Sequence, residues 1–216
     1  MMKKFLTALL CGLLIVSTIV AFAACSVGSG SNENQTDGTD GGNESGSMDE
    51  GQEPHTSGDP ASDVLVVYFS WSGNTQEMAE YIAGQTDAYL VEILPEEPYE
   101  GSYNDVAYGR AQEEAENNAR PAVSQATYDL IDMENYDTVL IGFPIWWHTA
   151  PMVIGTFLEH YNWTAQDNIY PFFQGASNSN QEYYDNSMSF VRSSAAAPTV
   201  PQGLFFVEVA AQSGVE

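Results

Sequence analysis

The stretch Val64-Leu-Val-Val-Tyr-Phe-Ser-Trp-Ser-Gly-Asn-Thr75 decides the fold class of this chain of 216 residues. Its first half is a continuous apolar run rich in β-branched side chains, which predicts a strand buried on both faces, as in a parallel sheet. A short polar turn follows, and from Thr75 the sequence predicts an amphipathic helix that Gly84 stops. A buried strand that leads through a polar turn into an amphipathic helix is typical of α/β proteins.

The same alternation of strands and helices continues along the chain. Further strands are predicted over 89–93, 136–143, 169–173 and 203–209, and helices over 110–116, 151–160 and 181–194. The helix over 151–160 places four apolar side chains on its inner face, those of Val153, Ile154, Phe157 and Leu158. Because strands that alternate with helices form parallel sheets, the sequence predicts a doubly wound sheet of five strands with helices on both faces.

The charge balance and the cysteines exclude several classes of function. Thirty acidic residues against five basic ones give a formal charge of −25, and Lys3 and Lys4 are the only lysines. Proteins that bind nucleic acid neutralise phosphates with Lys and Arg, so we expect no nucleic-acid partner. Cys11 and Cys25 both precede the predicted sheet, which excludes structural disulfides, Cys-ligated zinc and dithiol chemistry within it. Any redox function therefore requires a bound cofactor.

The N-terminal residues have the pattern of a targeting segment. Two lysines precede twenty uncharged residues, which predicts a signal peptide over 1–24. The sequence Phe22-Ala-Ala-Cys25 resembles the lipobox of bacterial lipoproteins, in which the cysteine is lipidated and becomes the new N-terminus. An uncleaved membrane anchor is the alternative, since ~20 apolar residues can span a bilayer. Both interpretations predict that the domain lies on the outer face of the cytoplasmic membrane.

Residues 25–62 are predicted to form the lipidated cysteine and a flexible acidic linker, and residues 63–216 the folded domain. Nine acids and no cation lie between Glu33 and Asp63, among Gly, Ser and Asn residues. Such a composition buries too little apolar surface to offset the entropy of ordering. His55 lies within this stretch and is predicted to be solvated.

The polar turn after the first strand, Ser70 to Thr75, is the first candidate site. A helix N-terminus offers free N–H groups and the positive end of the helix dipole, and both favour a phosphate. The hydroxyl groups of the turn add neutral donors, and Gly73 permits close approach of the backbone. Simple capping of the helix by Ser or Asn is the alternative interpretation. The turn is not a Walker A loop, which requires a lysine.

Two further loops follow predicted strands and are therefore expected at the same edge of the sheet. The first has the sequence Gly142-Phe-Pro-Ile-Trp-Trp-His-Thr-Ala-Pro151, in which two adjacent tryptophans predict a flat apolar wall for a planar aromatic ligand. The second has the sequence Gln174-Gly-Ala-Ser-Asn-Ser179, whose small and polar residues predict backbone contacts with the polar edge of the same ligand.

These motifs resemble those of the flavodoxin family. The turn Ser70-Trp-Ser-Gly-Asn-Thr75 is similar to the phosphate loop that binds flavin mononucleotide (FMN) in flavodoxins. Phe143-Pro-Ile-Trp-Trp147 and the segment around Asn117-Asn-Ala-Arg-Pro121 resemble a flavodoxin-like subfamily of bacterial lipoproteins. The resemblance implies a flavodoxin-like fold with strand order 2-1-3-4-5 and noncovalent FMN. It also implies a closing helix after the fifth strand, which we expect to be missing because the sequence stops soon after 209.

The resemblance assigns a role to each loop by motif position. It implies that the FMN phosphate is bound by Ser70, Trp71, Ser72, Gly73, Asn74 and Thr75. It implies that the isoalloxazine ring is lined by Pro144, Ile145, Trp146, Trp147 and His148. It implies that the pyrimidine edge of the ring is held by Gln174, Gly175, Ala176 and Ser177. No metal site and no catalytic residue is predicted.

The resulting hypothesis is an FMN-binding protein that is tethered to the membrane through Cys25. It would transfer electrons to a redox partner or reduce a small acceptor, and the sequence leaves open whether it is an FMN-dependent oxidoreductase. The alternative is a non-redox lipoprotein that binds another ligand in the same cleft.

Overall fold

The computed structural model describes residues 52–164, 168–196 and 200–207. Within them, one sheet contains six strands: β1 (Thr56–Ser57), β2 (Val64–Tyr68), β3 (Tyr89–Glu92), β4 (Thr138–Pro144), β5 (Asn168–Gly175) and β6 (Leu204–Val207). Their spatial order is β1-β3-β2-β4-β5-β6. All neighbours are parallel except β1 and β3. The five predicted strands are therefore confirmed, in the order 2-1-3-4-5 that the resemblance implies.

The helical elements are α1 (Asn74–Thr86), α2 (Tyr103–Asp105), a π-helical turn (Val106–Arg110), α3 (Ala111–Glu116), α4 (Gln125–Asp129), a 3₁₀ turn (Met133–Asn135), α5 (Met152–His160) and α6 (Gln181–Ala195). The sequence did not predict α4, a single turn whose first residues are capped by the Ser124 hydroxyl. Helix α1 continues through Gly84, contrary to the prediction, and ends at Thr86, with Asp87 as its C-cap in the left-handed conformation. Packing of Ala79 and Ala83 against the sheet outweighs the weak helix propensity of one glycine.

The core consists of two layers, one on each face of the sheet. Alternate residues of β2 point to opposite faces, and α1 covers the layer that contains Val66 and Leu90. Helices α5 and α6 cover the other and larger layer. The four apolar residues predicted for the inner face of α5 are all buried: Val153, Ile154, Phe157 and Leu158. The prediction of helices on both faces is confirmed.

The last part of the predicted linker belongs to the folded body, which corrects the prediction for residues 52–62. Strand β1 pairs antiparallel with β3 at the edge of the sheet. The imidazole Nδ1 of His55 lies 3.1 Å from the Tyr68 hydroxyl. The backbone N–H of His55 donates a hydrogen bond to the Glu92 carboxylate. Burial of the Glu92 carboxyl group raises its pKa. A short edge strand of polar residues shows no alternation of apolar and polar side chains, so its composition alone indicated a linker.

The predicted signal peptide, the lipidation of Cys25 and the absence of a closing helix all concern residues outside those described. Among the described residues, no helix is long and apolar enough to cross a membrane.

Substitution of Gly58 tests the docking of β1, and substitution of Gly84 within α1 is the comparison. An added Cβ at Gly58, where φ is 86°, would lie 2.3 Å from the Ala88 carbonyl oxygen, so Gly58→Ala should displace β1 and lower the melting temperature. A Cβ at Gly84 meets open space within α1, so Gly84→Ala should stabilise the domain by about 1 kcal/mol and raise the melting temperature by about 2–4 °C. Thermal unfolding followed by circular dichroism measures both changes. A Gly58→Ala variant as stable as the parent would contradict the docking.

Candidate functional site

The turn between β2 and α1 leaves the start of the helix open. Gly73 is the N-cap, with φ 89°, and no side chain caps the helix. The Ser70 hydroxyl accepts from the Gly73 N–H at 3.1 Å, and the first helical bond runs from Glu77 N–H to the Gly73 carbonyl. The three intervening N–H groups therefore have no acceptor within the helix. They lie at the positive end of the helix dipole, which is the arrangement that binds a phosphate.

The side chains of this turn have different environments. Ser72 and Asn74 are exposed and Ser70 is half-buried, whereas Thr75 is only 2% exposed. A Cβ added to Gly73 would meet no atom within 4 Å, so the space in front of its backbone is open. Trp71 donates its indole N–H to the Tyr99 carbonyl at 2.8 Å. The turn thus presents backbone N–H groups and small polar side chains, with the indole beside them.

The loop after β4 is a tight two-residue turn in an unusual conformation. Trp146 and Thr149 exchange two backbone hydrogen bonds, at 2.9 and 3.0 Å. The two residues between them, Trp147 and His148, both have positive φ, 46° and 67°. Positive φ at both central positions is the mark of a type I′ turn, which Asn and Gly normally occupy. Two bulky residues there cost on the order of 1–3 kcal/mol each, and such strain clusters at functional sites.

The two adjacent tryptophans contact different parts of the molecule. The ring of Trp146 is perpendicular to those of Phe69 and Tyr99, with centroids 5.2 and 5.0 Å away. Trp147 donates its indole N–H to the Ala107 carbonyl. Both tryptophans are half-buried, so each presents part of its surface to the space beyond the strand ends.

The loop after β5 packs against the loop after β4. The Gln174 carbonyl accepts from the Ile145 N–H at 2.8 Å, and Ala176 and Ser179 are joined by a backbone hydrogen bond of 2.8 Å. A Cβ added to Gly175 would lie 2.1 Å from the Ser179 hydroxyl, so this position leaves no room for a side chain. Ala176 and Ser177 are exposed.

A cavity of about 270 Å³ lies between these loops and the segment that contains α2 and the π-helical turn. Six of the predicted site residues line it: Trp71, Ile145, Trp146, Trp147, His148 and Ala176. The predicted residues that do not line it are Ser70, Ser72, Gly73, Asn74, Thr75, Pro144, Gln174, Gly175 and Ser177. Of these, Ser70, Ser72, Gly73, Asn74 and Thr75 belong to the turn at the open start of α1, which adjoins the cavity through Trp71.

The Gln174 side chain lies on the opposite face of the sheet from the cavity. It borders a separate opening together with Asn74, Met78 and Phe206. Residues two apart on a strand point to the same face, so Gln174 shares with Phe172 the face of the sheet that α1 covers. A contact of Gln174 with a ligand in the cavity would have to involve its backbone.

Sequence reasoning missed the wall of the cavity that comes from the long connection after β3 and from α6. The residues that it did not identify are Tyr103, Val106, Ala107, Tyr108, Ala111 and Tyr183, whereas Asn178 and Ser179, which also line the cavity, belong to the predicted loop after β5. The exposed aromatic residues Tyr103 and Tyr108 were the available signal. Their position could not be predicted, because nothing in the sequence showed that this connection returns over the strand ends.

Tyr99, Arg110 and Glu114 form a hydrogen-bonded network next to the aromatic residues of the cavity. The Tyr99 hydroxyl donates to Glu114 Oε2 at 2.6 Å, and Arg110 Nε donates to Glu114 Oε1 at 2.7 Å. The Arg110 guanidinium carbon also lies 4.1 Å from the centre of the Tyr99 ring. Burial, followed by the hydrogen bond to Glu114, raises the pKa of Tyr99. Since Tyr99 contacts Trp146 with its ring and Trp71 with its carbonyl, the network fixes two walls of the cavity.

The other two arginines have structural roles away from the cavity. Arg120 forms an ion pair with Glu159 at 2.8 Å and donates to two backbone carbonyls, those of Asn118 and Ala119. Arg192 donates to the Val200 carbonyl at 3.3 Å.

Replacement of Glu114 should change the aromatic cluster as well as the stability. Glu114→Gln keeps the shape but loses the ionic acceptor, so we expect a loss of about 2 kcal/mol in unfolding free energy and a changed near-ultraviolet circular dichroism spectrum. Glu159→Gln is the matched control, because it breaks a partly exposed ion pair that is worth less than about 1 kcal/mol. Identical spectra for the parent and the Glu114→Gln variant would show that the network does not position the tryptophans.

Comparison with known proteins identifies relatives of this fold. The family model of flavodoxin matches residues 63–194. A protein from Bacteroides uniformis, provisionally classed as a flavoprotein, is 28% identical in sequence and superposes with a TM-score of 0.58. The match covers 68% of this chain and 91% of the Bacteroides chain. A flavoprotein from Lactobacillus acidophilus NCFM, solved in complex with FMN, is 26% identical in sequence and superposes with a TM-score of 0.52. The match covers 66% of this chain and 91% of the Lactobacillus chain.

A search of the curated proteins finds no match. The family model nevertheless extends over more than half of the sequence, from the residue before β2 almost to the end of α6. On this evidence the chain belongs to the flavodoxin family.

Proposed function

We propose that this protein uses FMN to transfer electrons or to reduce a small acceptor, and that a lipid on Cys25 holds it at the outer face of the cytoplasmic membrane. The observation that carries the redox part is the open start of α1 beside an aromatic cavity at the strand ends. FMN as the cofactor is supported by the flavodoxin family and by the Lactobacillus acidophilus relative solved with FMN.

The residues present fit both ends of this cofactor. Its phosphate matches the free N–H groups at the start of α1 and the open space in front of Gly73, where no lysine or arginine is required. Its ring matches the half-buried wall that contains Ile145, Trp146 and Trp147. FMN supplies redox chemistry that the side chains of the domain lack, since both cysteines lie before it.

The acidic domain is expected to lower the reduction potential of a bound flavin. From Val64 onward the sequence contains 21 acids and three arginines. A carboxylate ~8 Å from an added negative charge, at an effective dielectric constant of ~20, opposes that charge by ~2 kcal/mol. We therefore expect reduction that adds negative charge to the flavin to be disfavoured, which lowers its potential.

Flavin binding is the first test of the proposal. The chain from Ser26 onward should be purified yellow or should take up added FMN. FMN at a hundredfold excess over its dissociation constant should stabilise the fold by ~2.7 kcal/mol, visible as a higher melting temperature. A colourless chain whose melting temperature FMN does not change would refute the redox function and favour a non-redox ligand-binding protein.

Replacement of Thr75 locates the phosphate. Thr75→Ala removes a nearly buried hydroxyl at the open helix start, so FMN should bind about tenfold more weakly, while riboflavin, which has no phosphate, should bind as before. Thr86→Ala, in the last turn of the same helix, is the control and should leave both affinities unchanged. Fluorescence titration gives the dissociation constants. Equal losses for FMN and riboflavin would place the phosphate elsewhere.

Lipidation of Cys25 has a separate test. When the full chain is expressed in a bacterial host fed with radioactive palmitate, the protein should become labelled, and Cys25→Ser should abolish the label. A parent protein that takes up no label but stays in the membrane fraction would instead favour an uncleaved anchor.

A further inference from the structure

The residues before β1 enter the folded domain at the end of the sheet where the candidate site lies. We call this end, at which the parallel strands finish, the site end, and the other the far end. Because β1 is antiparallel to β3, with Thr56 beside Val91, the residues that precede Thr56 run along β3 toward the site end. Gln52, the first residue that the structure describes, lines an opening of about 240 Å³ together with Ser70 and Trp71 of the turn before α1. The chain therefore enters the fold beside this turn.

Strand β1 is the reason that the entry point lies at the site end. Strand β2 begins at Val64, which is at the far end. The turn over 59–62 and Gly58, which lies against the Ala88 carbonyl just before β3, are at the far end as well. If β1 were not docked, the chain would leave the fold there, about 17 Å from the site end, which is the length of a five-residue strand.

Contacts of the residues just before β1 hold this path in place. Pro54 is buried. The Glu92 N–H donates to the His55 carbonyl at 2.9 Å, and the His55 N–H donates to the Glu92 carboxylate at 3.1 Å. The His55 imidazole lies 3.1 Å from the Tyr68 hydroxyl and 3.8 Å from the Glu80 carboxylate on α1. The docked segment thus extends beyond the two residues of β1 toward the site end.

The length of chain between Gln52 and Cys25 limits how far the site end can lie from a membrane anchor. Residues 26–51 are 26 in number and rich in Gly and Ser. A chain of this composition and length has a root-mean-square end-to-end distance of about 25–31 Å. A domain of about 150 residues is roughly 40 Å across, so the end to which the linker is attached stays nearer to the anchor than the other end does. Repulsion between the acids of the linker lengthens it but does not change the end to which it is attached.

We propose that β1 and the residues before it make the site end the face that the domain presents to the membrane. The inference rests on the proposed function, because it requires an anchor at or before Cys25, and both a lipid and an uncleaved anchor meet this requirement. A redox partner fixed in that membrane then meets the site without the domain turning over. The acids of the domain repel an anionic lipid surface over a Debye length of about 8 Å, so the site end faces the membrane across a layer of water.

Photocrosslinking to the lipid surface tests this orientation. In the chain from Cys25 onward, Cys25 is the only cysteine. Its thiol is coupled to a maleimide lipid in phosphatidylcholine vesicles that also contain a lipid with a benzophenone on its headgroup. After irradiation, mass spectrometry should find at least about threefold more crosslinks per exposed residue at the site end, because the linker holds that end nearer to the lipid. The loops to compare are 70–75, 145–149 and 174–179 at the site end, and 59–62, 86–88 and 132–137 at the far end.

Displacement of β1 should remove this preference. Gly58→Ala should release β1, add residues 52–62 to the free chain and move the attachment to the far end, so the two ends should be labelled equally or the far end more. Faster hydrogen exchange at the Glu92 N–H, which donates to the His55 carbonyl, reports that the segment has left β3. Gly84→Ala is the matched control, since a Cβ there meets open space and β1 stays docked.

Two further chains test the geometry without disturbing β1. Deletion of residues 26–45 leaves six residues between Cys25 and Gln52, with a root-mean-square length of about 12–15 Å, so the preference for the site end should rise. The chain from Ser26 onward with Asn135→Cys, an exposed position just before β4, is coupled to the same lipid at the far end and should show the reverse pattern.

The outcomes are distinct from those of the proposed function. The maleimide coupling requires neither natural lipidation nor bound FMN, so the orientation is decided even when palmitate labelling or flavin binding fails. Equal labelling of the two ends in the parent overturns the inference, as does a preference that Gly58→Ala keeps although the Glu92 N–H exchanges faster. If Gly58→Ala leaves that N–H protected, the deletion decides, and a preference that does not rise overturns the inference. A preference that Gly58→Ala abolishes and Gly84→Ala keeps supports it.

Discussion

Complete burial of β2 is the constraint on which the rest of the structure depends. Its residues alternate between the two core layers, and β3 and β4 pair with it on either side. A shift of one residue would exchange its two faces, so the position of its carboxyl end is fixed. The Phe69 N–H then donates to the Gly142 carbonyl at 2.9 Å, and the turn that follows opens α1 toward the loops after β4 and β5. The free N–H groups at the start of α1 are therefore placed by packing in the core.

The aromatic side of the site depends on a second set of contacts, which comes from the connection after β3. Tyr99 joins Trp71 and Trp146, and Glu114 with Arg110 holds Tyr99 in place. A partly buried ion pair of this kind contributes little net stability compared with apolar residues of the same volume. Its contribution here is geometric, because it holds the ring of Tyr99 against Trp146 while the Tyr99 carbonyl accepts from Trp71.

The arginines hold the fold together, and the candidate site is built without them. Each of the three arginines is used within the fold, two of them in ion pairs with glutamates. The site is left with backbone N–H groups, hydroxyls and aromatic rings. A phosphate held by neutral donors and a planar ring held by aromatic side chains need no cation, so a strongly acidic domain remains compatible with an anionic cofactor.

The sequence by itself determined the α/β class, the five parallel strands and the open turn from Ser70 to Thr75, because each of these depends on local pattern. A doubly buried strand is a continuous apolar run, and a turn that binds phosphate needs small polar residues and a glycine next to the strand. Only the tertiary structure decided that residues 52–62 join the sheet edge through β1 and that Gln174 faces away from the cavity. It alone brought Tyr103 and Tyr108 to the strand ends. These features depend on pairing and on the path of long connections between residues far apart in the chain, and such contacts leave no periodic signal in the sequence.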